Sequence, residues 1–217
     1  MKIFRHLTTT LVTFCALVAA SVFAVVVVVT FVVSAFREVE ISGWNVVTSQ
    51  IARWFLFWVG IHVMHNVFPV AVAHGRTRRE FLGAASGFSV VLALVMALAA
   101  WLGFVVEGGI YALMDWHADE HGTPLGYFMM FLVWCAAGMF CAAAFGRFGA
   151  VGIFSVAIGL PLMIVTSAPV PGSGKVPFIR DIPLFGSGWF GLSVLAFLVV
   201  LAGTWAVARD MPVRARR

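Results

Sequence analysis

The chain has 217 residues, 62% of them hydrophobic and 11% charged, with a formal net charge of +5. A soluble domain carries about 25% charged and 45–50% apolar residues, so this composition excludes a soluble fold and predicts an integral membrane protein. Mean hydropathy is +1.04. The apolar residues come in runs of about 20, the length of a bilayer-spanning helix. These runs consume nearly the whole chain and leave no stretch for a soluble catalytic domain of normal size. The positive balance does not point to nucleic acid, because the basic residues cluster at the ends of apolar runs, where membrane topology places them. Cys15, Cys135 and Cys141 all fall inside apolar runs. Their spacing makes no zinc framework, and such thiols act as small apolar fillers.

In chain order, Lys2 and Arg5 precede a first apolar run over roughly 11–36. The basic start and the small residues Ala20 and Ala24 resemble a signal peptide. The run continues through Val25–Val29, beyond the roughly 7–15 residues of a signal core, so an uncleaved span is expected. Arg37-Glu38-Val39-Glu40 interrupts it. A second span is expected over roughly 51–73, then a basic turn, then a third span over roughly 81–106. A loop with Glu107, Gly108, Gly109, Asp115, Asp119 and Glu120 follows, and a fourth span over roughly 126–145. Gly146-Arg147-Phe148-Gly149 turns into a fifth span over roughly 150–166. A loop rich in proline and glycine, from Pro169 to Gly186, leads to a sixth over roughly 188–207.

The expected fold is therefore an all-α membrane protein, one six-span transmembrane domain over 1–217. Six spans put both termini on one side. That side holds Lys2, Arg5, Arg76, Arg78, Arg79, Arg147, Arg209, Arg214, Arg216 and Arg217, against Arg37, Arg53, Lys175 and Arg180 on the other. Basic residues accumulate on the cytoplasmic side, so both termini are expected in the cytoplasm and the protein in the cytoplasmic membrane. The fourth run is rich in small residues (Ala136, Ala137, Gly138, Ala142, Ala143, Ala144), which let helix backbones approach closely in lipid. Tight packing within the chain and a dimer face both use such a stripe.

The densest charge in the interior lies at His74-Gly75-Arg76-Thr77-Arg78-Arg79-Glu80-Phe81-Leu82. Three arginines keep a loop inside, and that alone accounts for many such turns. Here Thr77 is followed three residues later by Glu80, the spacing of a capping box at the start of a short helix. A rigid, basic helix start at the membrane surface suits docking into a groove of a soluble partner.

The same stretch resembles the loop after the second span of ABC-2-type permeases, the membrane subunits of ATP-driven exporters. That loop commonly reads Gly-x-Thr/Ser-Arg-Arg-x-Phe, which Gly75, Thr77, Arg78, Arg79 and Phe81 match. The six-span plan with internal termini matches as well. The resemblance implies that 74–82, with Gly75, Arg76, Thr77, Arg78, Arg79, Glu80 and Phe81, is a coupling helix touching a separate ABC ATPase subunit. It also implies that ATP and Mg bind on that partner, that this chain is no enzyme and holds no cofactor, and that a second permease subunit, identical or different, completes the pathway. A non-transport six-span protein, accessory or immunity-type or a small membrane enzyme, is the alternative.

On the second span, Trp54, Trp58, His62, His65 and Pro69 recur every three or four residues and share one helical face, with Asn66 beside His62. Polar residues in a span face a bundle interior or a water-filled cavity. Two readings stay open: a wall of the translocation path, as the resemblance implies for this span, or an interhelical hydrogen-bond set with interfacial tryptophans. Haem between His62 and His65 lacks a facing axial ligand, since His6, His74, His117 and His121 lie near ends or in loops. Asp115-Trp116-His117-Ala118-Asp119-Glu120-His121 offers His117, Asp119 and His121 to a metal, but matches no fixed ligand motif. Pro171-Gly172-Ser173-Gly174-Lys175-Val176 is not a phosphate loop, because Pro169 stands where the first glycine belongs and Val176 replaces Ser/Thr. The serines at Gly186-Ser187-Gly188 and Ala85-Ser86-Gly87 lack the order and the base of an intramembrane protease.

Overall fold

The computed structural model describes residues 7–36, 41–116, 121–171 and 188–211, and all regular structure in them is helical. The chain is an all-α, membrane-type bundle. Five helical runs are long and apolar enough to cross a membrane: Thr9–Ser34, Gly43–Ala73, Arg78–Met114, Pro124–Ser167 and Trp189–Ala208. The fourth of these is two rods. Gly149, at φ +60°, breaks it, and a 3-10 turn over Gly149–Ile153 reverses the direction. We number the helices α1 (Thr13–Ser34), α2 (Gly43–Ala73), α3 (Arg78–Met114), α4 (Pro124–Phe148), α5 (Phe154–Ser167) and α6 (Trp189–Ala208). α5 has only 14 residues, about 21 Å at 1.5 Å per residue. The run expected as the fifth span is thus a 3-10 turn followed by a short helix, folded back on α4. Trp134 donates to Ser167 Oγ at 2.9 Å, tying the end of α5 to the middle of α4.

α4 is the axis of the bundle. It is apolar on every side, as a helix facing only other helices or lipid can be. Eighteen of its 25 residues are buried, and α2, α3, α5 and α6 pack around it. The small-residue stripe of the fourth run is therefore spent inside the chain. Gly60 of α2 and Gly138 of α4 interlock. A Cβ on Gly60 would overlap the Cys135 carbonyl, and one on Gly138 the Phe57 carbonyl. Lipid tails are as apolar as side chains, so helices in a membrane are held by such close backbone packing rather than by the hydrophobic effect.

α2 is continuous but not uniform. Wide π turns occupy Val47–Ile51 and Val63–Val67. The second lies just before Pro69, which has no N–H to give His65 and whose ring needs room over that carbonyl; the wide turn supplies it. α3 runs further than the sequence predicts. Glu107, Gly108 and Gly109, expected in a loop, form its last turns, and the helix stops at Asp115 in the left-handed region (φ +56°). α1 is peripheral, with only Cys15 and Ala19 buried. Phe23 meets Trp44 edge-on at 4.9 Å, and Phe31 meets Trp116 at 5.6 Å.

Candidate functional site

The basic turn joins α2 to α3 with no slack. α2 ends in a Schellman motif: Arg76 N–H donates to Ala71 O at 3.1 Å and Gly75 N–H to Val72 O at 3.0 Å. The motif needs a left-handed residue after the helix, and Gly75, at φ +76°, supplies it. Two residues later α3 begins in a complete capping box. Glu80 N–H donates to Thr77 Oγ1 at 3.2 Å, and Thr77 N–H donates to Glu80 Oε2 at 3.3 Å. One turn below, Phe68 and Phe81 meet edge-to-face at 5.2 Å, both fully buried. The Thr77 cap therefore starts the 37-residue α3 itself, not a separate short helix.

This geometry divides the seven residues assigned to coupling. Gly75, Thr77 and Glu80 build the turn, and Phe81 anchors it in the core. Arg78 is half-buried and donates to Ala208 O at 3.1 Å and Arg209 O at 2.7 Å. It thereby satisfies carbonyls that the end of α6 leaves without helical partners. Arg76 and Arg79 are exposed. Arg147, at the end of α4, also reaches α6: it donates to Ala206 O at 3.1 Å and pairs with Asp210 at 3.3 Å. The basic residues of three separate turns thus converge on one end of the bundle. Removing the Arg78 guanidinium by Arg78→Ala is expected to destabilise the protein by about 1.5–3 kcal/mol, the range for hydrogen bonds to charged groups, and to fray α6; amide hydrogen exchange over 204–209 measures this.

The stripe on α2 faces outward. Trp54 is 47% exposed and Trp58 65%, and His62 and His65 are exposed as well. Asn66 is half-buried, with Nδ2 3.0 Å from His62 Nδ1. The opposite face (Leu56, Val59, Gly60, Val63, Met64, Phe68) packs the core. These five residues therefore share a face, as their spacing predicts, and most of that face is turned outward. Trp54 bridges back to Trp134 at 4.9 Å, and the Arg53 guanidinium lies 5.0 Å over the Trp134 ring. Arg53 also donates to Gln50 Oε1.

At the other end of the bundle lies a cluster that the sequence hid. Glu107 is 6% exposed. Its carboxyl accepts from Ser42 Oγ–H at 2.6 Å and from the Trp44 N–H at 3.0 Å. Ser42 is the N-cap of α2 and accepts from Asn45 N–H at 3.0 Å. Trp44 donates its indole N–H to Ala100 O at 2.9 Å, and Tyr127 donates to Asn45 Oδ1 at 3.0 Å. A Ser-Gly pair before an apolar run was the available signal, since serine is a strong N-cap. Of the metal candidates, His117 and Asp119 lie outside the described residues. His121 stacks on Phe104 at 4.6 Å. Among the described residues no three His, Cys, Asp or Glu side chains come together as a metal site would need. The 172–187 loop also lies outside the described residues. Comparison with protein-family models, with curated proteins and with solved structures gives no match.

Proposed function

We propose that the chain is the permease subunit of an ATP-driven exporter of the ABC-2 type. In this reading it is a six-span protein of the cytoplasmic membrane with both termini inside, coupled through 74–82 to a separate ATPase subunit that binds ATP and Mg. The observation that carries the reading is the turn. A Schellman motif and a capping box lock it at both ends, and two exposed arginines, Arg76 and Arg79, stand on it. A turn that only marks topology needs charge; it does not need this rigidity. A push on it moves α2 and α3 together.

The bundle axis is filled by α4, so the substrate's way across lies on an outer face. The Trp54, Trp58, His62, His65 and Asn66 stripe, turned away from the chain's own core, supports a path shared with a second permease subunit.

The arginines separate docking from folding. The double reversal Arg76→Glu/Arg79→Glu is expected to weaken capture of the soluble ATPase subunit in mild detergent at least tenfold, about 1.4 kcal/mol. Melting should not change, because neither side chain is buried. Arg78 is unsuitable for this test because it holds α6. Full capture by the double variant would remove the docking role and leave an accessory or immunity-type membrane protein, or a small membrane enzyme.

A further inference from the structure

A cavity of about 80 Å³ lies between α1, α2, α3 and α4. Its walls include Val22 of α1, Trp44 and Phe55 of α2, Met96 and Ala99 of α3, and Phe131 of α4. Among the described residues that line it, Thr48 and the Trp44 indole carry the polar side-chain groups. Both are engaged with the backbone: Thr48 Oγ1 bonds to Trp44 O at 2.9 Å and Asn45 O at 3.2 Å, and Trp44 Nε1 to Ala100 O. Water inside a protein needs two to four polar partners, and this cavity offers at most the spare acceptor of the Thr48 hydroxyl. An empty void would forfeit dispersion contacts along all its walls.

The cavity's rim is partly open. Ile51 is 57% exposed, and Val18, Val47, Ala52 and Phe55 are half-buried. All five sit within apolar runs long enough to cross a bilayer, so the medium at the rim is hydrocarbon. The volume is about half of the roughly 150 Å³ that admits benzene, which favours a thin, linear occupant over a ring. α1 is held only lightly elsewhere: the most apolar window of its run has no buried residue, and Phe23 and Phe31 make edge-on contacts with Trp44 and Trp116.

We propose that this cavity is a lipid site, filled by an acyl chain of a phospholipid from the surrounding bilayer, which enters past Ile51 and completes the packing of α1 onto α2 and α3. The inference is independent of the exporter reading.

The full-length protein in phosphatidylcholine vesicles tests it, using a phosphatidylcholine with a photoreactive diazirine in mid-chain, followed by peptide mapping. Adducts are expected on Met96 and Phe131, which are 6% and 0% exposed, as well as on lipid-facing residues such as Val25, Val28 and Leu98. Filling the cavity by Ala99→Phe should reduce the Met96 and Phe131 adducts at least fivefold and leave those on Val25 and Val28 unchanged. Ala52→Leu, at the rim, should do the same and serves if Ala99→Phe lowers the melting temperature. Adducts confined to lipid-facing residues would overturn the proposal. So would equal labelling of Met96 and Phe131 in both filled variants and the parent.

Discussion

Gly138→Leu is expected to leave no stable bundle in detergent. The new side chain would begin inside the Phe57 carbonyl, and the Ile61 backbone closes the other side. Neither neighbour is a flexible side-chain end that can swing away; both are α2 backbone. α2 would have to move off α4, and Gly60 would lose its own seat against Cys135 and Met139. Overpacking a core costs about 1–3 kcal/mol and more where backbone must shift. In lipid no hydrophobic force returns the separated helices to contact. Gly191→Leu is the control, since a Cβ there meets nothing within 4 Å. The measurement is the thermal melting of both variants, with size-exclusion profiles. A Gly138→Leu protein that melts like the Gly191→Leu protein would mean that α2 and α4 are not in this contact.

Glu107→Ala is expected to cost about 3–6 kcal/mol and to loosen the start of α2. It removes the acceptor of a buried hydroxyl and of a helix N-terminal N–H at once. Hydrogen bonds to a carboxylate contribute about 1.5–3 kcal/mol each, and stranded buried donors are penalised further. Negative charge at a helix N-terminus is also favourable. Glu107→Gln keeps one acceptor oxygen and the shape, so it should lie between the two. Hydrogen exchange at Trp44 and Asn45, with melting temperature, reads the effect. An alanine variant as stable as the parent, with unchanged protection at Trp44, would show that the carboxyl does not hold this helix.

Much of the helical layout was legible because apolar runs of bilayer length have few alternatives. The α2–α3 turn was legible in part, its capping box being read but assigned to a short helix. Gly75, Thr77 and Glu80 each have a conformational or hydrogen-bonding reason to be where they are, and those reasons act over a few residues. The form of the fifth run was less so. Residues 150–166 are apolar enough for a span, but hydropathy does not report that a 3-10 turn uses up the first of them. Glu107 was misplaced for a related reason. A lone carboxyl among apolar residues ordinarily marks a loop, and only the fold shows that the donors of α2 lie across from it. The direction of the α2 stripe was not legible either. In a soluble helix the outward face is polar and announces itself; here Trp54 and Trp58 point outward while Leu56 and Met64 point inward, and hydropathy is high on both sides. The roles of Arg76, Arg78 and Arg79 were equally hidden, because three identical side chains differ only in what lies within their reach.

The reach of Arg78 links parts of the chain that are far apart in sequence. Its guanidinium grips carbonyls 130 and 131 positions downstream, so the first hairpin and the final rod are yoked at their base. Load applied beside Gly75 is shared by α6 as well as by its own two arms, and whatever alters the segment just past Ala208 will be felt at that bend.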